Sequence, residues 1–306
     1  MKILITGATG FVGTALSKKL LDDGHELHVL TRDITHLPSL FVNPKVKVFE
    51  WKNTLTIPPE ESISGIDGVI NLMGENIAGK KWSEEQKEIL RASRVDSTKN
   101  LTTLLNEKLN SPLKFFISSS AVGIYPTNKN EILDEEAKIG NNFLANLCLE
   151  WENAALTIKK TSRIVIIRTG VVLESHGGAL KKMLLPFKLG LGGPIGDGDH
   201  FMSWIHLEDL VNIFTKAVND SSYEGVYNGV APHPVDNFDF TKALGHALNR
   251  PTLFPVPAPM LKIMFGEMSS VILDSQKVVS KRLKDNNFVF LYPSVDSALN
   301  KIFKRS

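Results

Sequence analysis

"MKILITGATGFVGTALSKKLLDDGHELHVLTR", residues 1–32, is the stretch that decides the fold. Its apolar opening, "KILIT" (2–6), predicts a buried strand, and Val12, Leu16 and Leu20 share one face of a helix over 11–23 that Gly24 ends. "HELHVLTR" (25–32) predicts a second strand. Between the first strand and the helix, "TGATGFVG" places Gly7, Gly10 and Gly13. A tight turn suits Gly7, a close backbone approach to a pyrophosphate suits Gly10, and close packing of helix on strand suits Gly13. Phosphates would then meet the free N–H groups and positive end of the helix dipole. Glycines alone say little, because turns collect them. The strand before, the helix after and the second strand at the right distance predict a dinucleotide site, with Gly7, Thr9, Gly10, Phe11, Val12 and Gly13 as its first candidates.

The second strand ends in Thr31 and Arg32. An acid at this point would bind the ribose 2′-hydroxyl of NAD, whereas an arginine suits a 2′-phosphate through charge-assisted hydrogen bonds. NADP is the expected cofactor. Asp33, next in the chain, keeps NAD open, and a plain surface arginine beside a turn is the bland alternative.

Outward from this unit the chain alternates. "VKVFEW" (46–51) and "GVINLMG" (68–74) read as the third and fourth strands, a long helix spans about 83–109, and "LKFFISSS" (113–120) is the fifth strand. "NNFLANLCLEWENAAL" (141–156) is a helix and "RIVIIRTGVVL" (163–173) a further strand. Continuous apolar strands alternating with helices predict an α/β fold: a Rossmann-like, doubly wound parallel sheet covered on both faces. Past residue 173 the rhythm breaks, with a Gly-rich loop "GLGGPIGDGDHF" (190–201), a stretch mixing proline with apolar residues, and a C-terminal helix from about 294. The expected division is a cofactor domain of 1–173 and 205–229 and a smaller, discontinuous substrate-side lobe of 174–204 and 230–306. The glycines of 190–198, stiffened only by Pro194, suggest a mobile flap; an ordinary connection is the alternative.

Lys plus Arg total 35 against 33 Asp plus Glu, a net charge of +2 that argues against nucleic-acid or membrane-surface binding. The basic clusters "GKKW", "LKKM" and "KRS" read as solvated surface. One cysteine, Cys148, allows neither an intramolecular disulfide nor a cysteine zinc site, and the eight histidines show no metal-ligand spacing, so no metal is expected. No apolar run approaches a membrane span, and "MKILITGATG" is too short for a signal-peptide core, so a cytoplasmic location is expected.

Together the glycine turn, the strand order and the later segments "NLMGENIAGKKW", "SSSAVGIY", "FLANLCLEWE" and "LLPFKLGLGGPIGDGDHFMSWIHLEDL" resemble the extended short-chain dehydrogenase/reductase family, and within it the atypical subgroup called epimerase family proteins. The resemblance spans essentially the whole chain. It implies an NADP(H)-binding fold with a characteristic C-terminal region and leaves the substrate undefined; the expected function is an oxidoreductase or epimerase-like enzyme acting on a small hydroxyl or carbonyl substrate, with the oligomeric state, a homodimer among the options, open. Typical members move a proton through a tyrosine whose pKa, about 10 when free, is lowered by a lysine four residues on. Here that tyrosine falls on Phe143 and the lysine on Leu147, neither of which can exchange a proton. The substrate-orienting serine falls on Ser120, which is retained, and a helix asparagine falls near Arg94.

Either the chemistry has moved or the chain binds NADP(H) without turnover, as a regulatory or scaffold protein. Tyr125, just past the fifth strand, is the nearest substitute acid, with Ser120 to hold the substrate oxygen; a structural turn tyrosine is the alternative. Leu72, Met73 and Gly74 at the end of the fourth strand, Ser118 on the fifth and Arg168 on the next complete the candidate cofactor set. Arg94 could pair with the pyrophosphate or the 2′-phosphate, or be a surface arginine. His206 reads as structural, Cys148 as a small buried hydrophobe, and Glu135 and Glu136 as loop acids within reach of the substrate cavity or merely solvated.

Overall fold

The computed structural model describes residues 1–303, so the basic cluster at 304–306 lies outside the described residues. The chain opens with β1 (Lys2–Thr6), α1 (Phe11–Asp22), β2 (Glu26–Thr31), β3 (Val46–Glu50) and β4 (Gly68–Asn71). Then α2 (Glu84–Arg91) runs through a π-helical turn, Ala92–Asp96, into α3 (Ser97–Lys108), followed by β5 (Phe115–Ala121), β6 (Asn128–Leu133), α4 (Phe143–Ala155), β7 (Ile164–Thr169) and β8 (Val171–Leu173). The remainder is α5 (Gly178–Lys188), β9 (Phe201–Met202), β10 (Trp204–His206), α6 (Leu207–Asn219), β11 (Gly225–Gly229), β12 (Val235–Asp236), α7 (Asn237–Leu248), α8 (Ala258–Phe265), α9 (Ser270–Leu273), β13 (Gln276–Val278), α10 (Lys281–Asp285) and α11 (Val295–Phe303).

Seven strands form one parallel sheet in the order β11-β7-β5-β4-β1-β2-β3. Because side chains alternate along a strand, Ile3 and Ile5 face α1 and α6 in a core with Leu16, Leu210 and Phe214, while Leu4, Val69 and Phe116 face α3 and α4 in a second core with Leu101 and Ala155. The order reverses at β1, which lies between β4 and β2, so a crevice opens at the C-terminal ends of these strands. A third core, with Leu180, Leu184, Trp204, Phe240, Leu244 and Leu299, joins α5, α7 and α11 outside the sheet. Small sheets link β8 to β10, β9 to β12 and β6 to β13. Among the described residues no helix is long and apolar enough to cross a membrane.

Three departures from the expected elements have physical causes. The strand expected over 163–173 breaks at Gly170, where a Cβ would stand 2.6 Å from Ser203 O; the chain leaves β7 there and pairs with β10 as β8. The fourth strand stops at Asn71, and Leu72–Gly74 cross instead over the first glycine turn. The long helix starts where expected, capped by Ser83 Oγ accepting from Gln86 N at 3.1 Å, but is split by the π turn. The Gly-rich loop is pinned rather than free: Gly196 N donates to Val256 O (2.9 Å), Val256 N to Pro194 O (2.8 Å) and Ile195 N to Asn237 Oδ1 (2.7 Å). Gly193 serves close approach, since a Cβ there would stand 2.0 Å from Phe254 O, while Gly190, Gly196 and Gly198 take positive φ values.

Candidate functional site

The crevice is built on the β1–α1 turn. Gly7 has a φ of +68°, and a Cβ there would stand 2.8 Å from Leu72 O; only glycine permits both the conformation and the contact. Gly10 is the N-cap of α1, and a Cβ on Gly13 would meet Gly7 O at 2.1 Å, so the helix sits directly on the turn backbone. No side chain caps α1 and its first turn carries no acid, which leaves donors free for an anion. Thr9 and Gly10 line one side of a cleft of about 290 Å³, with Thr31 and Arg32 at one end and Met73 and Gly74 opposite. Phe11 and Val12 begin the helix and pack against the sheet core, Phe11 also meeting His176 edge-on with ring centroids 5.6 Å apart.

At the β2 end, Thr31 is buried and its hydroxyl donates to Asp33 O at 3.2 Å. The Arg32 side chain is 73% exposed, with Nη1 3.4 Å from Glu75 Oε2 across the cleft mouth. Asp33 is committed to its own loop. Its Oδ1 accepts from Thr35 N (2.7 Å) and Thr35 Oγ1 (2.6 Å), its Oδ2 lies 2.9 Å from His36 Nδ1, and these bonds, Thr35's hydroxyl first, hold its pKa far below the usual carboxylate range. The cation at this end is Arg32, largely exposed and held only by a 3.4 Å contact with Glu75.

Beyond the residues that line this cleft, packed on β5 and α3, stands α4, capped by Asn142 Oδ1 accepting from Ala145 N at 2.9 Å. Phe143 packs edge-on against Trp82, centroids 5.1 Å apart, and Leu147 is buried with Leu90, Val95 and Trp151. An apolar cluster thus fills the places of the expected proton pair.

Beneath it lies a chain of buried polar groups. Ser120 Oγ donates to Glu152 Oε1 (2.6 Å); Arg168 clasps the same carboxylate through Nε to Oε1 (2.8 Å) and Nη2 to Oε2 (2.9 Å). Arg168 Nη1 donates to the Tyr125 hydroxyl (2.9 Å), which donates to Asn228 Oδ1 (2.7 Å). The register explains the grouping: Ser120 pairs with Arg168 across β5 and β7, and Arg168 with Asn228 across β7 and β11. Glu135, expected near the substrate, accepts instead from Asn228 N (3.0 Å) and Ser280 Oγ (2.5 Å); Glu136 meets Lys281 at the surface.

Several expectations change as a result. Tyr125 is fully buried with both hydroxyl bonds made, and burial pushes its pKa up; it does not face the cleft as an acid. Arg168 is 6% exposed and held by Glu152, so it is withdrawn from the cofactor. Ser118 is wholly buried, accepting from Asn71 Nδ2 at 3.2 Å, and ties β5 to β4 rather than lining the cleft. Ser120 is buried as well, 3% exposed, and its only hydrogen is on Glu152, so a lone pair is all it can offer a ligand that reaches it. Burial pushes the Cys148 thiol up to about 11, which suits an inert buried residue. His206 caps α6, its Nδ1 accepting from Glu208 N at 3.1 Å. Glu152 and Asn228 were missed from sequence. Glu152 had one signal: it interrupts the sheet-facing stripe Ala145, Cys148, Ala155 of α4 with an acid, which needs a buried partner.

A doubly wound parallel sheet with a glycine turn under an uncapped helix and an open crevice at the strand-order reversal defines a dinucleotide-binding α/β protein. The chain belongs to the NAD dependent epimerase/dehydratase family, which residues 3–228 match; residues 256–302 match a domain of unknown function, DUF1731. It is 38% identical to the epimerase family protein SDR39U1 of Mus musculus over 99% of each chain. It is also 38% identical to the chloroplastic SDR39U1 homologue of Arabidopsis thaliana, over 99% of this chain and 87% of that one. The crystal structure of human SDR39U1 (isoform 2) with NADPH superposes with a TM-score of 0.88 at 34% identity, covering 100% of both chains.

Proposed function

We propose that this chain is an NADP(H)-dependent oxidoreductase or epimerase-like enzyme acting on a small hydroxyl or carbonyl substrate, without the family's tyrosine–lysine pair. The observation that carries the reading is the exposed Arg32 at the end of β2 facing an intact glycine turn, with Asp33 locked into its own loop. The NADPH held by the human relative supports the same cofactor. The pyrophosphate would rest on the N-terminus of α1 over Gly7, Thr9 and Gly10, with Gly13 holding the helix close. The 2′-phosphate would lie on Thr31 and Arg32, and Leu72, Met73 and Gly74 would border the ribose. When bound, the nicotinamide would supply a hydride acceptor or donor. Ser120, held by Glu152, would accept a hydrogen bond from a substrate hydroxyl. Residues 1–173 and 205–229 would form the cofactor side and 174–204 with 230–306 the substrate side.

A second reading, an NADP(H)-binding regulatory protein with little turnover, is favoured by one observation: Tyr125, the nearest substitute acid, is sealed. The two part in a spectrophotometric screen of NADPH oxidation with a carbonyl panel and NADP⁺ reduction with the corresponding alcohols. Turnover of at least one pair, lost in Ser120→Ala, is expected. Tight NADPH binding with no turnover on any pair would favour the regulatory reading.

A further inference from the structure

We propose that Arg94 is a binding residue for a carboxylate carried by the substrate, at the nicotinamide half of the cleft; the placement of that half rests on the NADP(H) reading above. The sheet order locates it. Arg32 at the end of β2 lies on one side of β1, and β4, β5 and α4 lie on the other. A dinucleotide centred on the N-terminus of α1 with its adenosine toward β2 extends its nicotinamide toward β4 and β5. Arg94 belongs to that second half: a Cβ on Gly74 would stand 3.0 Å from its Cζ and 3.1 Å from its Nε, and its guanidinium lies 5.4 Å from the ring centroid of Trp151 on α4. Glu75 stands between the two arginines, its carboxylate 3.4 Å from Arg32 and its backbone carbonyl accepting from Arg94, so the cofactor phosphates considered from sequence are the competing partner that the NADP⁺ measurement below decides.

The charge has no counterion. Arg32 meets Glu75, Arg91 meets Glu150 and Arg168 meets Glu152, but among the described residues no carboxylate lies within 4.0 Å of Arg94. Its Nη1 donates to Leu90 O (3.1 Å) and Ser93 Oγ (3.5 Å) and its Nη2 to Glu75 O (2.8 Å), while Nε makes no hydrogen bond. Guanidinium has five N–H donors, so some remain for a ligand. Trp151 Nε1, in the ring against which Arg94 lies, is itself buried without an acceptor. Burial pulls the Arg94 pKa down, outweighing the opposing pull of the Glu75 charge nearby, yet an arginine stays charged. A planar carboxylate can take two parallel N–H bonds from a guanidinium edge and would also neutralise the charge. This cation stands beside the helix that has lost the lysine's charge at Leu147.

Titration calorimetry on the NADP⁺-saturated full chain tests the proposal, with acetate and benzoate as probes and acetamide and benzamide as neutral controls. The carboxylates should bind at least about tenfold more tightly than their amides, and Arg94→Gln should erase the difference while the NADP⁺ dissociation constant moves less than about threefold. Arg94→Lys, which keeps the charge and loses the fork, should retain part of the difference. Equal binding of acids and amides to the parent overturns the proposal, as does an Arg94→Gln variant that keeps carboxylate preference. Loss of about tenfold or more in NADP⁺ affinity in Arg94→Gln assigns the cation to a cofactor phosphate and also overturns it. Should Arg94→Gln not fold, the parent's acid-against-amide preference and the lysine variant decide. If NADP⁺ does not bind the parent, the functional reading fails separately, and the same probes on the free chain still judge Arg94.

Discussion

At the β1–α1 end of the cleft, three glycines sit where backbone geometry admits no other residue or holds the turn open, while at the α4 end Phe143 and Leu147 stand where proton-transfer chemistry is expected. The first end is fixed by main-chain contacts as short as the 2.1 Å that a Gly13 Cβ would make with Gly7 O. The second depends on side chains whose replacement leaves the helix, its Asn142 cap and its packing intact. The difference shows how a dinucleotide fold can keep its cofactor cleft and lose its proton pair: main-chain geometry tolerates almost nothing, and a helix face tolerates any side chains that pack. Phe143 against Trp82 and Leu147 against Leu90 meet that packing requirement.

The strongest challenge to this contrast lies under α4. Glu152→Ala strands Arg168 as a buried unpaired cation and should cost about 3–5 kcal/mol in urea unfolding, against a far smaller loss for Glu152→Gln; equal, small losses would show that the buried pair does not hold α4 to β7. Gly13→Ala should lower stability by about 1–3 kcal/mol through overpacking on the turn backbone and weaken NADPH binding with it, measured by melting and calorimetry. A cost near zero would break the claim that backbone contact governs this end. Tyr125→Phe should lose about 1–2 kcal/mol of stability because Asn228 and Arg168 lose a partner, while turnover stays within about tenfold; a hundredfold fall in rate would return Tyr125 to the reaction.

The smallest expected effect serves as a control away from both ends. Burial holds the His206 pKa below its ordinary 6.5, and the neutral ring's Nδ1 caps α6. A lowered folded-state value means that its contribution is complete above about pH 6.5 and is lost as pH falls toward the folded value. Stability of the parent should therefore drop more than that of His206→Asn between pH 7.5 and pH 5.5, since asparagine can cap without titrating. Identical pH slopes would remove the histidine cap from the account.

What could be foreseen in the sequence follows contact distance along the chain. The β1–α1 turn was readable because Gly10 and Gly13 act on residues of the turn itself and Gly7 takes a positive φ, and α4 because Phe143 and Leu147 sit one helical turn apart. The chain from Ser120 to Asn228 was not, since Tyr125 and Asn228 are 103 residues apart and meet only through the register of β5, β7 and β11. The same holds for Arg168, which looked like a cofactor ligand at a strand end until Glu152 was brought under it. The loop at 190–198 was legible as glycine-rich, but its hydrogen bonds to Val256 and Asn237 were not, because those partners lie in distant segments.

The central claim, an intact NADP(H) end facing an altered catalytic end, is tested most directly by titration calorimetry of the unmodified protein with NADPH and with NADH. NADPH should bind at least about tenfold more tightly, a difference of about 1.4 kcal/mol, and Arg32→Asp should abolish it. Equal affinities of the unmodified protein for the two cofactors would contradict the account.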